Sequence, residues 1–176
     1  KIGKIKWIKG DIADTHVVKE ALKNNNIQSI IHLAALQIPF CAADPVAGAK
    51  VNVVGTVNIF ETARKHGLKR LAYTSSIAAH GFISKNTYKA TLYGAYKLCD
   101  ENIAFNYLQD WGVPSIGFRP GIVYGVGRDQ GMTSKTTVAL LAAAAGKQYT
   151  IPFSGPISAL YAGEVASALI KAVSKD

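Results

Sequence analysis

Short apolar segments alternate along this chain with longer segments of helical period, and this alternation restricts the folds open to it. Strands that alternate with helices predict a parallel sheet with helices on both faces. The sequence therefore predicts an α/β fold built on a doubly wound parallel sheet. The segments typical of strands are Ile5–Lys9, Ile27–Ala34, Arg70–Ser75, Ser115–Phe118 and Tyr149–Phe153.

Helix start and stop signals lie between these strands. Asp14 is a good N-cap, Asp44-Pro45 places proline at the first helical position, and Gly112 ends a long helix. The segments 36–43 and 119–127 are predicted to be irregular. The predicted helices begin after Asp14 and run from Asp44 to His66, from Thr91 to about Asp110, from about Ser134 to Ala145 and from about Ala162 to Val173.

Polar or small residues follow the predicted strands where each strand ends. They are Asp11, Ala34-Ala35, Thr74-Ser75-Ser76 and Arg119-Pro120. Ligands of open parallel sheets bind outside the carboxyl ends of the strands. The sequence therefore predicts a ligand site at this edge. For Thr74 and Ser75 a simpler alternative is that their hydroxyls satisfy backbone groups at the strand end.

The composition fits one globular domain. Apolar residues make up 49% of the 176 residues and charged residues 18%, and no apolar run is long enough to span a bilayer. Cys41 and Cys99 suggest neither a metal site nor a disulfide framework, so a cytoplasmic location is expected. The net charge of +9 suggests nucleic-acid binding as a hypothesis. However, the dense basic cluster 64–70 lies at a helix C-terminus, where the helix dipole favours cations. We expect neither nucleic acid nor membrane as a partner.

Tyr93 and Lys97 are four residues apart on the predicted helix from Thr91. Residues at this spacing lie on one helix face, so the ammonium is expected to lower the phenol pKa from its ordinary value of about 10. A tyrosine with such a pKa can exchange a proton with a substrate oxygen near neutral pH. The alternative is an ordinary solvated pair.

Further motifs accompany this pair in a fixed order. They are Gly10-Asp11-Ile12-Ala13-Asp14, His32-Leu33-Ala34-Ala35, Asn52-Val53-Val54-Gly55-Thr56, Thr74-Ser75-Ser76 and Arg119-Pro120 with Val123-Tyr124-Gly125. On these motifs nearly the whole chain resembles the extended short-chain dehydrogenase/reductase superfamily, in its NAD-dependent epimerase/dehydratase group. The resemblance implies a Rossmann-like sheet with a small C-terminal substrate lobe, and NAD as the cofactor, with NADP not excluded.

The resemblance also implies roles for single residues. Ser76, Tyr93 and Lys97 are expected to be catalytic: Ser76 would bind the reacting oxygen, Tyr93 would be the acid/base, and Lys97 would bind the nicotinamide ribose and lower the Tyr93 pKa. Gln37, Ser76 and Arg128 are expected to bind substrate. The expected cofactor-binding residues are Asp11, Ile12, Leu33, Ala34, Ala35, Asn52, Thr74, Ser75, Tyr93, Lys97, Pro120 and Val123.

The implied reaction is hydride transfer to NAD(P) from a sugar or nucleotide-sugar, in an epimerase, dehydratase or dehydrogenase. The alternative is a non-catalytic dinucleotide sensor or partner-binding protein on the same fold. The enzymatic interpretation requires Tyr93 and Ser76 on the same side of the sheet and a Lys97 amine that is not buried away from any cleft. A homodimer is expected. The predicted division is a partial NAD(P)-binding domain, 1–125, and a partial substrate lobe, 126–176.

The chain departs from the family pattern in several places. The glycine-rich unit with which the family begins is not in this sequence, so the first predicted strand, Ile5–Lys9, would face a gap of roughly 14 Å before its next partner. We therefore expect a longer native protein, or another placement of residues 1–12. The interval from Ser76 to Tyr93 is short for the family. Ile122 stands where many nucleotide-sugar enzymes carry asparagine, and Glu164 keeps one acid where relatives often have an aspartate pair.

Overall fold

The computed structural model describes residues 5–84 and 87–174. Its helices are α1 (Thr15–Lys23), α2 (Ile38–Ala43), α3 (Pro45–Ala49), α4 (Gly55–Lys65), α5 (Leu92–Trp111), α6 (Lys135–Ala144) and α7 (Ala162–Val173). Its strands are β1 (Ile30–His32), β2 (Leu71–Thr74), β3 (Phe82–Ser84), β4 (Thr87–Lys89), β5 (Ile116–Phe118), β6 (Ile122–Tyr124) and β7 (Ala159–Tyr161). A π-helical turn, Lys50–Val54, joins α3 to α4, and 3₁₀ turns cover Ile77–His80 and Met132–Ser134. Among these helices, none combines the length and apolar character that crossing a bilayer requires.

The central sheet is parallel, in the order β1-β2-β5. Ile31 lies opposite Ala72, and Tyr73 lies opposite Gly117. A second parallel pair joins β6 to β7, while β3 and β4 form an antiparallel hairpin. The carboxyl ends of β1, β2 and β5 therefore meet at one edge, as the sequence predicts.

Helices cover both faces of this sheet. On one face, α4 and α5 enclose Phe60, whose ring packs at 5.7 Å from Tyr73 of β2 and at 5.4 Å from Tyr107 of α5. On the other face, Leu169 and Val173 of α7 pack with β2. The predicted α/β fold with helices on both faces is confirmed.

Local capping signals place the helix ends as predicted. The Asp14 carboxylate accepts from the backbone N–H groups of His16 and Val17, and the Thr91 hydroxyl accepts from that of Gly94. Gly112 ends α5 in the left-handed conformation, with φ of 61°. Asp14 and Thr91 accept hydrogen bonds from free N–H groups at the start of a helix, and Gly112 adopts a backbone angle that is unfavourable for other residues.

Two predicted strands are wrong. Residues 5–10 form no strand, and in the described part of the chain no strand lies beside β1 on the side away from β2. A strand is stabilised by its neighbour, so an apolar segment without a partner stays irregular. Residues 149–153 also form no strand, because the partner of β6 is the later segment Ala159–Tyr161.

Regular structure also occurs where the sequence predicted loops. The segment 36–43 contains α2, which has proline in its first turn. The segment 119–127 contains β6, and the segment between Ser76 and Tyr93 contains the β3–β4 hairpin. These are short elements, and their sequences carry little periodicity from which to predict them.

Candidate active site

A cavity of about 580 Å³ opens at the carboxyl ends of the central strands. Its wall combines residues that follow β1, β2 and β5 with the first turn of α5 and with α7. The predicted site residues on this wall are Leu33, Gln37, Thr74, Ser75, Ser76, Tyr93, Pro120, Val123 and Arg128. The topology thus brings together side chains that are up to 95 residues apart in the sequence, from Leu33 to Arg128.

Ser76 leaves β2 with extended backbone and starts the 3₁₀ turn Ile77–His80. Its Oγ accepts a hydrogen bond from the Ala78 N–H at 3.1 Å. The same hydroxyl lies close enough to the Tyr93 side chain to lower the pKa of its phenol. Tyr93 and Ser76 therefore lie on the same side of the sheet and meet on the cavity wall.

Tyr93 lies in the first turn of α5, where the Thr91 cap fixes the helix. The next residue is glycine because the 3₁₀ turn is close: a Cβ at position 94 would lie 2.2 Å from the Ala78 carbonyl oxygen. Burial raises the pKa of Tyr93 above its ordinary value, and the nearby Ser76 hydroxyl opposes this rise. The net direction is therefore a rise, whereas the spacing of Tyr93 and Lys97 predicts a fall.

Lys97 is buried one layer behind the cavity wall. Its ammonium donates to the Thr74 carbonyl at 2.8 Å and to Asp100 Oδ2 at 3.2 Å. Nζ lies 5.9 Å from the centroid of the Tyr93 ring. The amine is thus not exposed to the cavity, although it lies directly behind the wall residues Thr74 and Tyr93. Of the two conditions for the enzymatic interpretation, the shared side of Tyr93 and Ser76 is met, whereas a ribose contact to Lys97 requires that the wall in front of it rearrange.

Asp100 is a residue of this site that the sequence reasoning missed. Its side chain is 1% exposed, and burial raises its pKa to about 6 despite the Lys97 ammonium nearby. The signal in the sequence was its position three residues after Lys97, which on a helix brings the two side chains together. Such a spacing does not reveal that the pair is buried.

Arg128 and Gln37 lie together on the wall, as the predicted substrate-binding role requires. Arg128 donates to the Gln130 carbonyl at 2.7 Å and to the Thr133 hydroxyl at 3.0 Å, and its contact with Gln37 Oε1 is 3.5 Å. These acceptors are neutral. Among the ion pairs of the described residues, none involves Arg128.

Asn52 holds the segment that follows β1. Its side chain is fully buried, its Oδ1 accepts from the Leu36 N–H at 2.7 Å, and its Nδ2 donates to the Leu36 carbonyl at 3.0 Å. Ala34 is exposed and Ala35 is half-buried in this segment. Asn52 therefore supports the backbone that carries these alanines and Gln37, without lining the cavity itself.

Asp11 and Ile12 lie away from the cavity wall. Asp11 is exposed, and its Oδ1 accepts from the Ala13 N–H at 2.9 Å. Ile12 packs against the core beside α4. The structure therefore places these two residues near each other but does not join them to Tyr93 and Ser76.

Ser75 has a structural partner in addition to its place on the wall. It is buried and donates its hydroxyl proton to the Glu101 carboxylate, which also binds Arg119. The guanidinium of Arg119 lowers the pKa of Glu101. Glu101 and Arg119 therefore fix the end of β2 to α5, a bracing role that the sequence reasoning did not assign.

Comparison with known proteins gives a family. The model of the NAD-dependent epimerase/dehydratase family matches residues 1–176. An uncharacterized protein of Methanocaldococcus jannaschii is 30% identical over 182 residues, which cover 97% of this chain and 55% of that protein. The uronate dehydrogenase of Pseudomonas syringae pv. tomato is 30% identical over 121 residues, covering 63% of this chain and 42% of the enzyme. The chain thus spans about half the length of these relatives.

Solved structures share the fold. The L-threonine dehydrogenase of Clostridium difficile superposes with a TM-score of 0.83 at 23% identity, over 93% of this chain and 55% of that one. The UDP-glucose 4-epimerase of Thermus thermophilus, in complex with NAD, superposes with a TM-score of 0.81 at 23% identity, over 95% and 60%. With the family model matching along its whole length, the chain belongs to the NAD-dependent epimerase/dehydratase family of extended short-chain dehydrogenases/reductases.

Proposed function

We propose that this chain carries the reaction site of an NAD-dependent epimerase, dehydratase or dehydrogenase that acts on a sugar or nucleotide-sugar. The observation that carries the proposal is the proximity of Tyr93 and Ser76 on the wall of the cavity at the strand ends. A phenol and a hydroxyl that converge on one point can bind the oxygen of a secondary alcohol or ketone and exchange a proton with it.

The cavity suits the nicotinamide end of the cofactor. Pro120, Val123 and Leu33 give it apolar wall, and Ser76 and Tyr93 give it a polar end. Ala34 and Ala35 are small, so a ribose and diphosphate could pass close to the backbone there. We assign the ribose contact to Lys97, the bracing of this loop to Asn52, and adenine contacts to Asp11 and Ile12. Thr74 and Ser75 complete the proposed cofactor contacts.

Bound NAD accepts or returns a hydride at the carbon that bears the reacting oxygen. Tyr93 exchanges the hydroxyl proton at Oη, and Ser76 Oγ orients the same oxygen. Because burial keeps the Tyr93 pKa above its ordinary value, the phenol is protonated at neutral pH in this structure. It is therefore ready to donate a proton to a ketone, and oxidation of an alcohol requires that it first lose that proton.

Arg128 suggests an anionic group on the substrate. Its charge has no carboxylate partner among the described ion pairs, and the cavity wall is otherwise mostly apolar. A phosphate or carboxylate would supply the missing charge. Uronate dehydrogenase and UDP-glucose 4-epimerase, both matched by this chain, are named for substrates that carry such groups.

The remaining proposals concern the protein as a whole. Exposed apolar residues on α5, such as Leu98 and Phe105, which lie seven residues apart on one face, favour a homodimer through the outer face of this helix. We also propose that residues 1–125 form the cofactor-binding part and residues 126–176 the substrate lobe. A cytoplasmic location fits Cys41 and Cys99, which form no disulfide.

The test is Tyr93→Phe in the whole protein, with NAD and a panel of nucleotide-sugars and uronates. We expect turnover to fall by about 10²- to 10⁴-fold, the usual contribution of a positioned acid/base, with NAD affinity nearly unchanged. Tyr96→Phe is the matched control: it is the same substitution one turn along α5, where the hydroxyl donates to the Pro45 carbonyl at 3.0 Å.

Equal turnover in Tyr93→Phe and wild type would remove the proposed acid/base. The second candidate, a non-catalytic dinucleotide sensor, is favoured if the whole protein binds NAD but oxidises and epimerises no member of the panel. The presence of Ser76, Tyr93 and Lys97 together argues against it, because a sensor has no need of a proton donor.

A further inference from the structure

Asp100 is a carboxylate in the interior of the protein, close to the candidate active site. Its side chain is 1% exposed, and its Oδ2 lies 3.2 Å from Lys97 Nζ, whose side chain is 3% exposed. Its second oxygen, Oδ1, has no hydrogen-bond partner among the described residues. Buried carboxylates are costly unless they are paired, so this position needs a physical reason.

The partner of Asp100 is fixed from two sides. Lys97 Nζ donates to the Thr74 carbonyl at 2.8 Å as well as to Asp100. These two acceptors place the ammonium at the end of β2, 5.9 Å from the centroid of the Tyr93 ring. Asp100 and Thr74 thus determine where the positive charge of the site lies.

The other groups near Asp100 do not compensate its charge. The Thr56 hydroxyl lies beside it but donates to the Asn52 carbonyl at 2.6 Å, and it also meets His32 Nε2 at 3.1 Å. Burial lowers the pKa of His32 to about 4, so this ring is neutral at pH 7. Glu101, next along α5, is held by Arg119 and Ser75.

We propose that Asp100 is the positioning residue of the candidate site: its buried carboxylate fixes the Lys97 ammonium between the Thr74 carbonyl and the ring of Tyr93. The significance of this arrangement rests on the proposed function, in which Tyr93 and Lys97 form the reactive pair. Asp100 also compensates the lysine charge, which adds to the effect of burial in raising the pKa of the Tyr93 phenol. The other titratable groups that face Tyr93 are Cys41 from α2 and Arg128 from the segment after β6.

The first test follows the whole wild-type protein by NMR between pH 4 and 8, without ligand. The Asp100 carboxyl ¹³C signal is expected to titrate near pH 6, its pKa in the structure. The Lys97 ammonium ¹⁵N signal should move with the same midpoint, because protonation of Asp100 releases the amine. Asp100→Asn and Lys97→Met assign the two signals. A Lys97 signal that does not change through this range would overturn the proposal.

The second test separates positioning from simple support of the fold. In Asp100→Asn the shape of the side chain is kept and the charge is lost, so the pKa of the Tyr93 phenol is expected to be lower than in wild type. The ¹³Cζ signal of tyrosine, assigned with Tyr93→Phe, measures this. Asp110→Asn, an exposed carboxylate on the same helix, is the control and should leave the signal unchanged.

A purely structural Asp100 would lower the unfolding midpoint and leave the ionisation of Tyr93 unchanged, and that result would overturn the proposal. Should Asp100→Asn not fold, the wild-type titration decides alone, with the Asp100 signal assigned from backbone connectivities in the wild-type protein. Neither measurement depends on turnover. If Tyr93→Phe is as active as wild type, the proposed function is refuted, and this result is independent of the NMR measurements that test the role of Asp100.

Discussion

Asn52→Ala tests whether one buried amide holds the loop between β1 and α2. Asn52 lies in the π-helical turn Lys50–Val54, with its side chain 0% exposed. Its side chain makes two hydrogen bonds with Leu36. Oδ1 accepts from the Leu36 N–H at 2.7 Å, and Nδ2 donates to the Leu36 carbonyl at 3.0 Å. π-helical turns are rare and are often found at functional sites. Here the turn places an amide where it can pair with backbone groups outside its own helix.

The size of the effect follows from these two contacts. Alanine leaves the N–H and the carbonyl of Leu36 without their partner, and each unsatisfied group costs roughly 1–3 kcal/mol. Leu36 is only half-buried, so water can replace part of the loss. We therefore expect Asn52→Ala to lower the free energy of unfolding by about 2 to 3 kcal/mol, a large fraction of the 5–15 kcal/mol typical of folded domains.

The assay is urea unfolding followed by far-ultraviolet circular dichroism, with the free energy extrapolated to water. Asn106→Ala is the matched control, because Asn106 is exposed on α5 and donates to the Asn102 carbonyl at 2.8 Å, where water can take its place. The control is expected to change the free energy by no more than about 0.5 kcal/mol. If Asn52→Ala costs no more than Asn106→Ala, the bracing role assigned to Asn52 is wrong.

Two further predictions concern residues around the site. Gly94→Ala places a Cβ 2.2 Å from the Ala78 carbonyl oxygen, so we expect a loss of about 1–3 kcal/mol in urea unfolding; an unchanged midpoint would contradict this close approach. The pKa of His32 is lowered to about 4, so the unfolded chain binds its proton first and stability falls as the pH drops from about 6.5 to 4. Between pH 7 and 5 wild type should lose about 2 kcal/mol more than His32→Asn, and equal losses would refute this.

Much of the fold could be predicted from sequence signals that act within a few residues, such as helix caps. Thr91, Gly112 and Asp14 cap their helices as expected, because a cap depends on groups a few residues away. The predicted bounds of α7 agree with the structure, and β2 lies within its predicted segment. The placement of Ser76 at the end of β2 follows from the same local pattern. This is why Ser76 and Tyr93 could be expected to share one edge of the sheet.

The strand errors have a common cause in partners that lie far along the chain. The segment 149–153 has the residues of a strand, yet β6 pairs with Ala159–Tyr161 instead. Register is selected by the packing of both strands, and a single segment contains no information about its neighbour. The same reasoning applies to Ile5–Lys9, which lies beside no strand within the described residues.

The spacing of Tyr93 and Lys97 predicted their proximity but not the net direction in which the phenol pKa is shifted. Four residues of helix bring a lysine near a tyrosine in any protein, and the phenol pKa falls only if the ammonium charge is uncompensated and the ring is solvated. Here the ring is buried and Asp100 supplies the opposite charge, so the pKa rises. The residue three positions after the lysine therefore adds to the effect of burial on the ionisation of the tyrosine, provided that helix packing buries it. That burial comes from the contact of α5 with α4, which no local motif encodes.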